Sequence, residues 1–197
     1  MLRILVLLVS LGALAACAQS ARVSQMSTGA VEAGSIARNP GLQGALDLGE
    51  VTDQREISAF KGTFVEASDF RQALDQSLQA SGLLAIEAQE APYRLTANLL
   101  AVDLPMLGFD LTVDSTVDYV VAHRATGQPF FEKTITNAYT ADFSDAVIGV
   151  KRAQLANEGA MKANISAFIK EFVSYWIANQ PPVAEPDATA VSLLALD

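Results

Sequence analysis

The chain has one cysteine, one histidine and one tryptophan in 197 residues, and 13 Lys and Arg against 22 Asp and Glu. Each shortage excludes something. A single cysteine forms no intramolecular disulfide, and with one histidine beside it the Cys/His set of a structural zinc site cannot be assembled. Ser-His-Asp chemistry has one candidate base, His123, which falls at an expected hairpin turn beside Arg124 and reads as an exposed or capping residue. A formal charge of −9 leaves no basic surface for a phosphate backbone, so nucleic acid is excluded as a partner. Glycine-rich phosphate loops are missing too: Gly41-Leu42-Gln43-Gly44 lacks the Gly-Lys-Ser/Thr ending and precedes a strand instead of following one. Neither a metal nor an organic cofactor is expected. The length suits one domain with tails.

Long apolar runs are scarce, with one exception. Ile4 to Leu14 is almost unbroken and follows the positive Arg3. It falls short of the ~20 residues a helix needs to cross a hydrocarbon core of about 30 Å, and it has the form of a cleaved signal peptide, residues 1–16. Its end, Leu14-Ala15-Ala16-Cys17, resembles the lipobox of bacterial lipoproteins. That resemblance implies a diacylglycerated Cys17 thiol, cleavage before it and acylation of the new amine; a secretory signal with a chance cysteine is the alternative. Two or more acyl chains make a stable anchor. Ala18, where an inner-membrane retention signal would have Asp, resembles the outer-membrane sorting pattern. The expected location is therefore the outer membrane, facing the periplasm. Losing Arg3 takes the mature charge from −9 to −10.

Residues 18–43 are small and polar without a sustained period, which predicts a flexible tether. The expected organisation is an acylated Cys17 with its tether to residue 43, one domain over 44–178, and a Pro-rich tail over 179–197 opened by Gln180-Pro181-Pro182. Within the domain, Leu46, Leu48 and Val51 suggest a first strand running into Asp53-Gln54-Arg55. A helix of about 13 residues then has Ser68 as its N-cap, Phe70, Leu74 and Leu78 as its stripe and Gly82 at its end. Leu83 to Ile86 reads as a short buried strand and Arg94 to Asp103 as a longer one. Over Phe109 to Ala122 apolar residues alternate with Asp110, Thr112, Asp114, Thr116 and Asp118, the mark of a half-buried antiparallel strand. Phe131, Ile135 and Tyr139 alternate with polar residues in the next strand, and a helix follows from Asp145 to Ala178. These elements predict a two-layer α+β sandwich. Its antiparallel sheet has a meander of three longer strands plus one or two short ones, with two helices packed on one face.

This order, with Asp53-Gln54-Arg55 after the first strand and Glu158-Gly159-Ala160 and Asn164-Ile165 in the last helix, resembles the YajG-type bacterial lipoproteins over roughly residues 44–176. The resemblance implies a small α+β domain anchored in the cell envelope. It carries no catalytic residues over to this chain.

Two further features bear on function. Asp110, Asp114 and Asp118 share a strand face at about 13 Å intervals, too far apart for the ~5–9.5 Å of paired glycosidase carboxylates. A solvated Thr/Asp face is the expectation, and a carboxylate-dependent hydrolase is a remote alternative. The turn Leu104-Pro105-Met106-Leu107-Gly108-Phe109 is apolar where hairpin tips are usually polar; it faces the domain's own core, a protein partner or lipid, and Leu104, Pro105, Met106, Leu107 and Phe109 form a candidate docking loop. The expected partners are the membrane, through the lipid on Cys17, and an envelope protein or lipid component. A non-enzymatic binding or assembly accessory fits these features best. A lipid or lipopolysaccharide transport accessory is the second reading, and it would need an apolar groove between helix and sheet.

Overall fold

The computed structural model describes residues 20–55, 65–103 and 108–179. Its sheet has the strand order β1-β2-β3-β4, formed by β1 Leu46–Asp53, β2 Tyr93–Asp103, β3 Leu111–His123 and β4 Pro129–Ala141. The helices are α1 Val23–Met26, α2 Ala33–Arg38, α3 Ala67–Ser81 and α4 Gly149–Asn179. β2, β3 and β4 form the expected antiparallel meander, while β1 lies parallel to β2. Residue alternation carries no strand direction. Here direction follows from α3, which lies between β1 and β2 in the chain and carries it back to the starting edge, as a parallel neighbour requires. α3 packs beneath β1 and α4 beneath β3 and β4, giving the two-layer α+β sandwich.

The alternation in β3 decides which face is buried. Leu111, Val113, Ser115, Val117, Tyr119 and Val121 all point into the core, and the intervening Thr and Asp residues face outward. The strand begins at Leu111 and not at Phe109, which lies 81% exposed just before it. In α3 the stripe Phe70, Leu74 and Leu78 is fully buried; the helix starts at Ala67 after Glu66, which puts Ser68 inside the first turn. Its end is set by Gly82 at φ +81°, a conformation glycine alone takes without steric cost. The Gly82 and Leu83 amides both donate back to the Leu78 carbonyl, closing the helix. The expected strand at Leu83 to Ile86 reduces to a single bridge from Leu84 to Leu46, and Ile86 is fully exposed. α4 starts at Gly149, one turn later than expected.

The largest departure is at the N-terminal side. Residues 20–43, expected as a flexible tether, are packed onto the domain: Ala21, Met26, Ile36 and Leu42 are buried in the main core. Buried hydroxyls on α3 complete the attachment, with the Thr28 amide donating to Ser77 Oγ at 2.9 Å and the Val31 amide to Ser81 Oγ at 3.2 Å. Short helices with one buried residue each show no local period; tertiary packing orders them, and only the partner surface reveals it. This extra layer also explains α4. Arg152, Gln154, Asn157, Glu158 and Asn164 are buried in it beside the apolar residues, because the helix is covered by the sheet on one side and by α1 on another. Residues 1–16, expected as a signal peptide, and all but the first residue of the expected tail over 179–197 lie outside the described residues.

Candidate functional site

Of the residues expected to carry function, Cys17 and Leu104, Pro105, Met106 and Leu107 lie outside the described residues. Phe109 is described, and its ring meets Phe143 edge-on at 6.2 Å. His123 lies tilted against Tyr93, ring centres 4.6 Å apart, and meets Phe130 at 5.8 Å, which gives it a packing role at the hairpin end of β3. Asp118 accepts from Thr134 Oγ1 at 2.9 Å and Asp110 from the Phe143 amide at 2.9 Å. Thr112 pairs with Thr140 and Thr116 with Thr136 across the same face, so this surface is a cross-strand hydroxyl ladder open to solvent. Asp103 stands opposite Asp114 on it, and both are exposed.

At the end of β1, Arg55 binds Asp53 through Nε at 2.8 Å and donates from Nη2 to the Val65 carbonyl at 2.8 Å, tying the strand to the chain entering α3. Its guanidinium holds the Asp53 carboxyl below the usual carboxylate range.

Asp47 likewise pairs with Arg94 and Arg124, each at 2.9 Å, and a more buried set of polar groups lies along α4. Deepest is Asn164, fully buried, whose Oδ1 accepts from the Tyr119 hydroxyl at 2.9 Å while Nδ2 donates to the carbonyls of Ser115 at 3.0 Å and Ile135 at 2.9 Å. Ser115 Oγ continues the knot to the Ala160 carbonyl at 3.1 Å. Burial pushes the Tyr119 phenol well above its ordinary range, so it remains a donor.

Nearer the helix start, two residues one turn apart grip the incoming chain. Gln154 Nε2 donates to the Ser20 carbonyl at 2.7 Å. Glu158 is 2% exposed, and its carboxylate accepts from the Arg22 backbone amide, Nε and Nη2, each at 2.9 Å. This fork holds Arg22 in its charged form. Neither residue is recognisable as a clamp from the sequence, because their partners lie 136 and 134 residues away.

Between this clamped segment and α4 runs an open groove of about 780 Å³, lined among others by Gln25, Thr28, Val31, Tyr139, Leu155 and Lys162. Its floor is Gly159, on which the Tyr139 ring lies so closely that a Cβ there would collide with it. Alanine is favoured over glycine in a helix by about 1 kcal/mol, so Gly159→Ala measures the contact. In the wild-type background it should destabilise by about 1–2 kcal/mol as Tyr139 is driven off its rotamer. With Tyr139→Ala present, the same change should stabilise by about 0.5–1 kcal/mol, read as opposite shifts in the urea midpoint.

Among the described residues no three His, Cys, Asp or Glu side chains gather as a metal site, and no helix is long and apolar enough to cross a membrane. No protein-family model matches the chain, and no curated protein matches it in sequence. Solved structures do resemble it. A hypothetical protein from Chlamydia trachomatis is 14% identical with a TM-score of 0.52, over 70% of this chain and 99% of that one. A Xanthomonas campestris protein of the DUF330 family is 11% identical with a TM-score of 0.51, over 72% of this chain and 92% of that one. At these identities the likeness is one of fold: the sandwich described above is an architecture that both bacterial proteins share.

Proposed function

We propose that this chain is a lipid-anchored protein of the bacterial cell envelope, on the periplasmic face of the outer membrane, which binds another envelope component and catalyses no reaction. The observation that carries the reading is the clamp on α4. Ser20 and Arg22 are fixed to Gln154 and Glu158, and Cys17 is three residues further along the chain, a reach of at most about 10 Å. An acyl group on Cys17 would thus belong to a rigid body and not to the end of a long tether. The groove beside the clamp offers a surface of mixed polarity with Lys162 at its rim, suited to a partner that meets the domain close to the membrane.

The space a lipid carrier would use between helix and sheet is filled by Tyr119, Phe168, Phe172, Leu95 and Leu99, which favours the assembly role over lipid transport. Intact mass spectrometry of membrane-extracted protein should give a chain beginning at an acylated Cys17, and Cys17→Ser should leave the membrane fraction. A photo-crosslinker at Leu155 should capture one envelope component from the anchored protein and lose it in Cys17→Ser. An unmodified Cys17 on a membrane-bound chain sinks the anchor; equal capture by both forms removes anchoring from the mechanism.

A further inference from the structure

We infer that the apolar surface made by Phe109, Phe143, Val147, Ile148 and Val150 rests on the lipid bilayer that holds the anchor, and sets the domain upright on it. The inference rests on the reading of Cys17 as acylated.

Phe109 is 81% exposed, Val147 73% and Ile148 71%, with Phe143 and Val150 also exposed. Scattered apolar residues on a soluble surface need no explanation, but a contiguous group does. Here Phe109 meets Phe143, and Arg152 draws Phe143 and the turn at 146–148 together: it is a buried residue whose guanidinium lies 5.2 Å from the centre of the Phe143 ring and donates from Nη1 to the carbonyls of Ala146 at 2.5 Å and Val147 at 3.3 Å. The Arg152 amide also donates to the Ile148 carbonyl, and Asp110 holds the Phe143 amide. The apolar side chains are therefore displayed outward by a fixed framework, with the charge beneath them.

The direction of the chain says what covers this surface. From Arg22 to Ser20 the backbone runs along α4 from Glu158 to Gln154, towards the helix start at Gly149. Gln154 is one turn from Val150, about 6 Å along the axis. With at most about 10 Å of chain between Ser20 and Cys17, the acyl chains enter the membrane at this end of the molecule. The opposite end is remote: from Leu111 to His123 β3 spans about 40 Å. An anchor so short and so placed brings this apolar surface to the interface, where such side chains sit ~5–10 Å into the headgroup and acyl boundary. Asp110, Asp142 and Asp145 rim the surface, with Lys151 and Arg152 as the cations nearby. That balance suits a zwitterionic surface, since acidic side chains are repelled by anionic lipid.

The test uses the full acylated protein in phosphatidylcholine vesicles. Its one native thiol is consumed by the anchor, so Val147→Cys, Val150→Cys and, as reference, Thr126→Cys at the far hairpin can each be labelled with an environment-sensitive fluorophore. Labels at 147 and 150 should shift to the blue and be quenched about twofold or more by lipid-borne nitroxide, as expected for groups ~5–10 Å deep. The label at 126 should keep its aqueous spectrum. Aqueous spectra at 147 and 150 in a protein whose intact mass shows the acyl groups overturn the seating alone. A blue shift without lipid quenching also overturns it, because a protein surface, such as a second copy, is then the cover. An unmodified Cys17 in the same mass spectrum overturns the anchor reading, whatever the labels report.

Discussion

Asn164→Leu should lower the unfolding free energy by about 3–5 kcal/mol, read from the urea midpoint at an unchanged slope, although leucine is more apolar and of similar size. Asn164 is fully buried, and its amide joins α4 to two strands: Tyr119 on β3 donates to it, and the carbonyls of Ser115 on β3 and Ile135 on β4 accept from it. Leucine fills the volume but leaves the Tyr119 hydroxyl buried with no acceptor, at about 1–3 kcal/mol, and takes a donor from each carbonyl. Asn164→Asp should be no milder, since it keeps the acceptor for Tyr119 and turns a carboxyl oxygen towards the two carbonyls. Tyr119→Phe is the smaller change, about 1–2 kcal/mol for one unsatisfied amide oxygen. Its ring, stacked on Phe168 at 4.3 Å, stays in place.

The double variant Asn164→Leu/Tyr119→Phe should be more stable than the sum of the single losses predicts, because no orphaned hydroxyl remains. Equal and additive losses would mean that the knot is a bystander. The pH dependence follows from burial. Tyr119 has its phenol raised above the ordinary value in the folded state, so above pH ~10 the unfolded chain releases a proton that the folded chain keeps. Stability should fall as pH rises beyond that point, and less steeply in Tyr119→Phe.

How far the fold could be read in advance depended on what makes each element. β3 and α3 are periodic because each has one wet and one dry face, and their buried residues Val113, Val117, Tyr119, Phe70, Leu74 and Leu78 are those the alternation marks. Residues 20–43 have no such period. Met26, Ile36 and Leu42 sit one to a short helix or turn, and their burial depends on surfaces of α3 and α4 that are distant in sequence. α4 hid its role for the opposite reason. Covered on two sides, it buries Arg152, Gln154, Asn157 and Glu158 as well as its apolar residues, so it shows no single stripe. The reading of Cys17 rests on a motif local to an apolar run; the role of Glu158 has no local signal, because its partner Arg22 lies 136 residues away.

The same pair yields the other large effect, which is local. Glu158→Ala should release the chain around Arg22 to Met26 from α4, lowering the protection of the Arg22, Gln25 and Met26 amides in hydrogen exchange by at least about tenfold. The carboxylate accepts every contact that Arg22 makes with α4: the amide itself, Nε and Nη2. Gln25 and Met26 donate to the Arg22 carbonyl, so their protection depends on the same residue. Glu158→Gln is the informative intermediate. Its carbonyl oxygen can still take the amide, but its NH₂ group meets an Arg22 donor, and the charge that strengthens the fork is gone. Protection should fall in the order wild type, Gln, Ala.

The amides of β3 and of α4 beyond Asn164 should keep their exchange rates in all three proteins, because the knot at Asn164 and the core beyond it hold the helix independently of Arg22. Uniform loss across the molecule would mean that the clamp stabilises the whole fold and does not simply hold down its first turn. Unchanged protection at Arg22 would mean that Met26 and Ala21, packed in the core, suffice without the ion pair. In the acylated protein the consequence should reach the membrane: with Arg22 released, Gln154 alone holds the chain at Ser20, and the link between Cys17 and the rigid part of the domain lengthens towards Ser27, whose hydroxyl next holds the chain on Gln76. The fluorophore at Val147 should then lose lipid quenching in Glu158→Ala while the acyl groups stay attached.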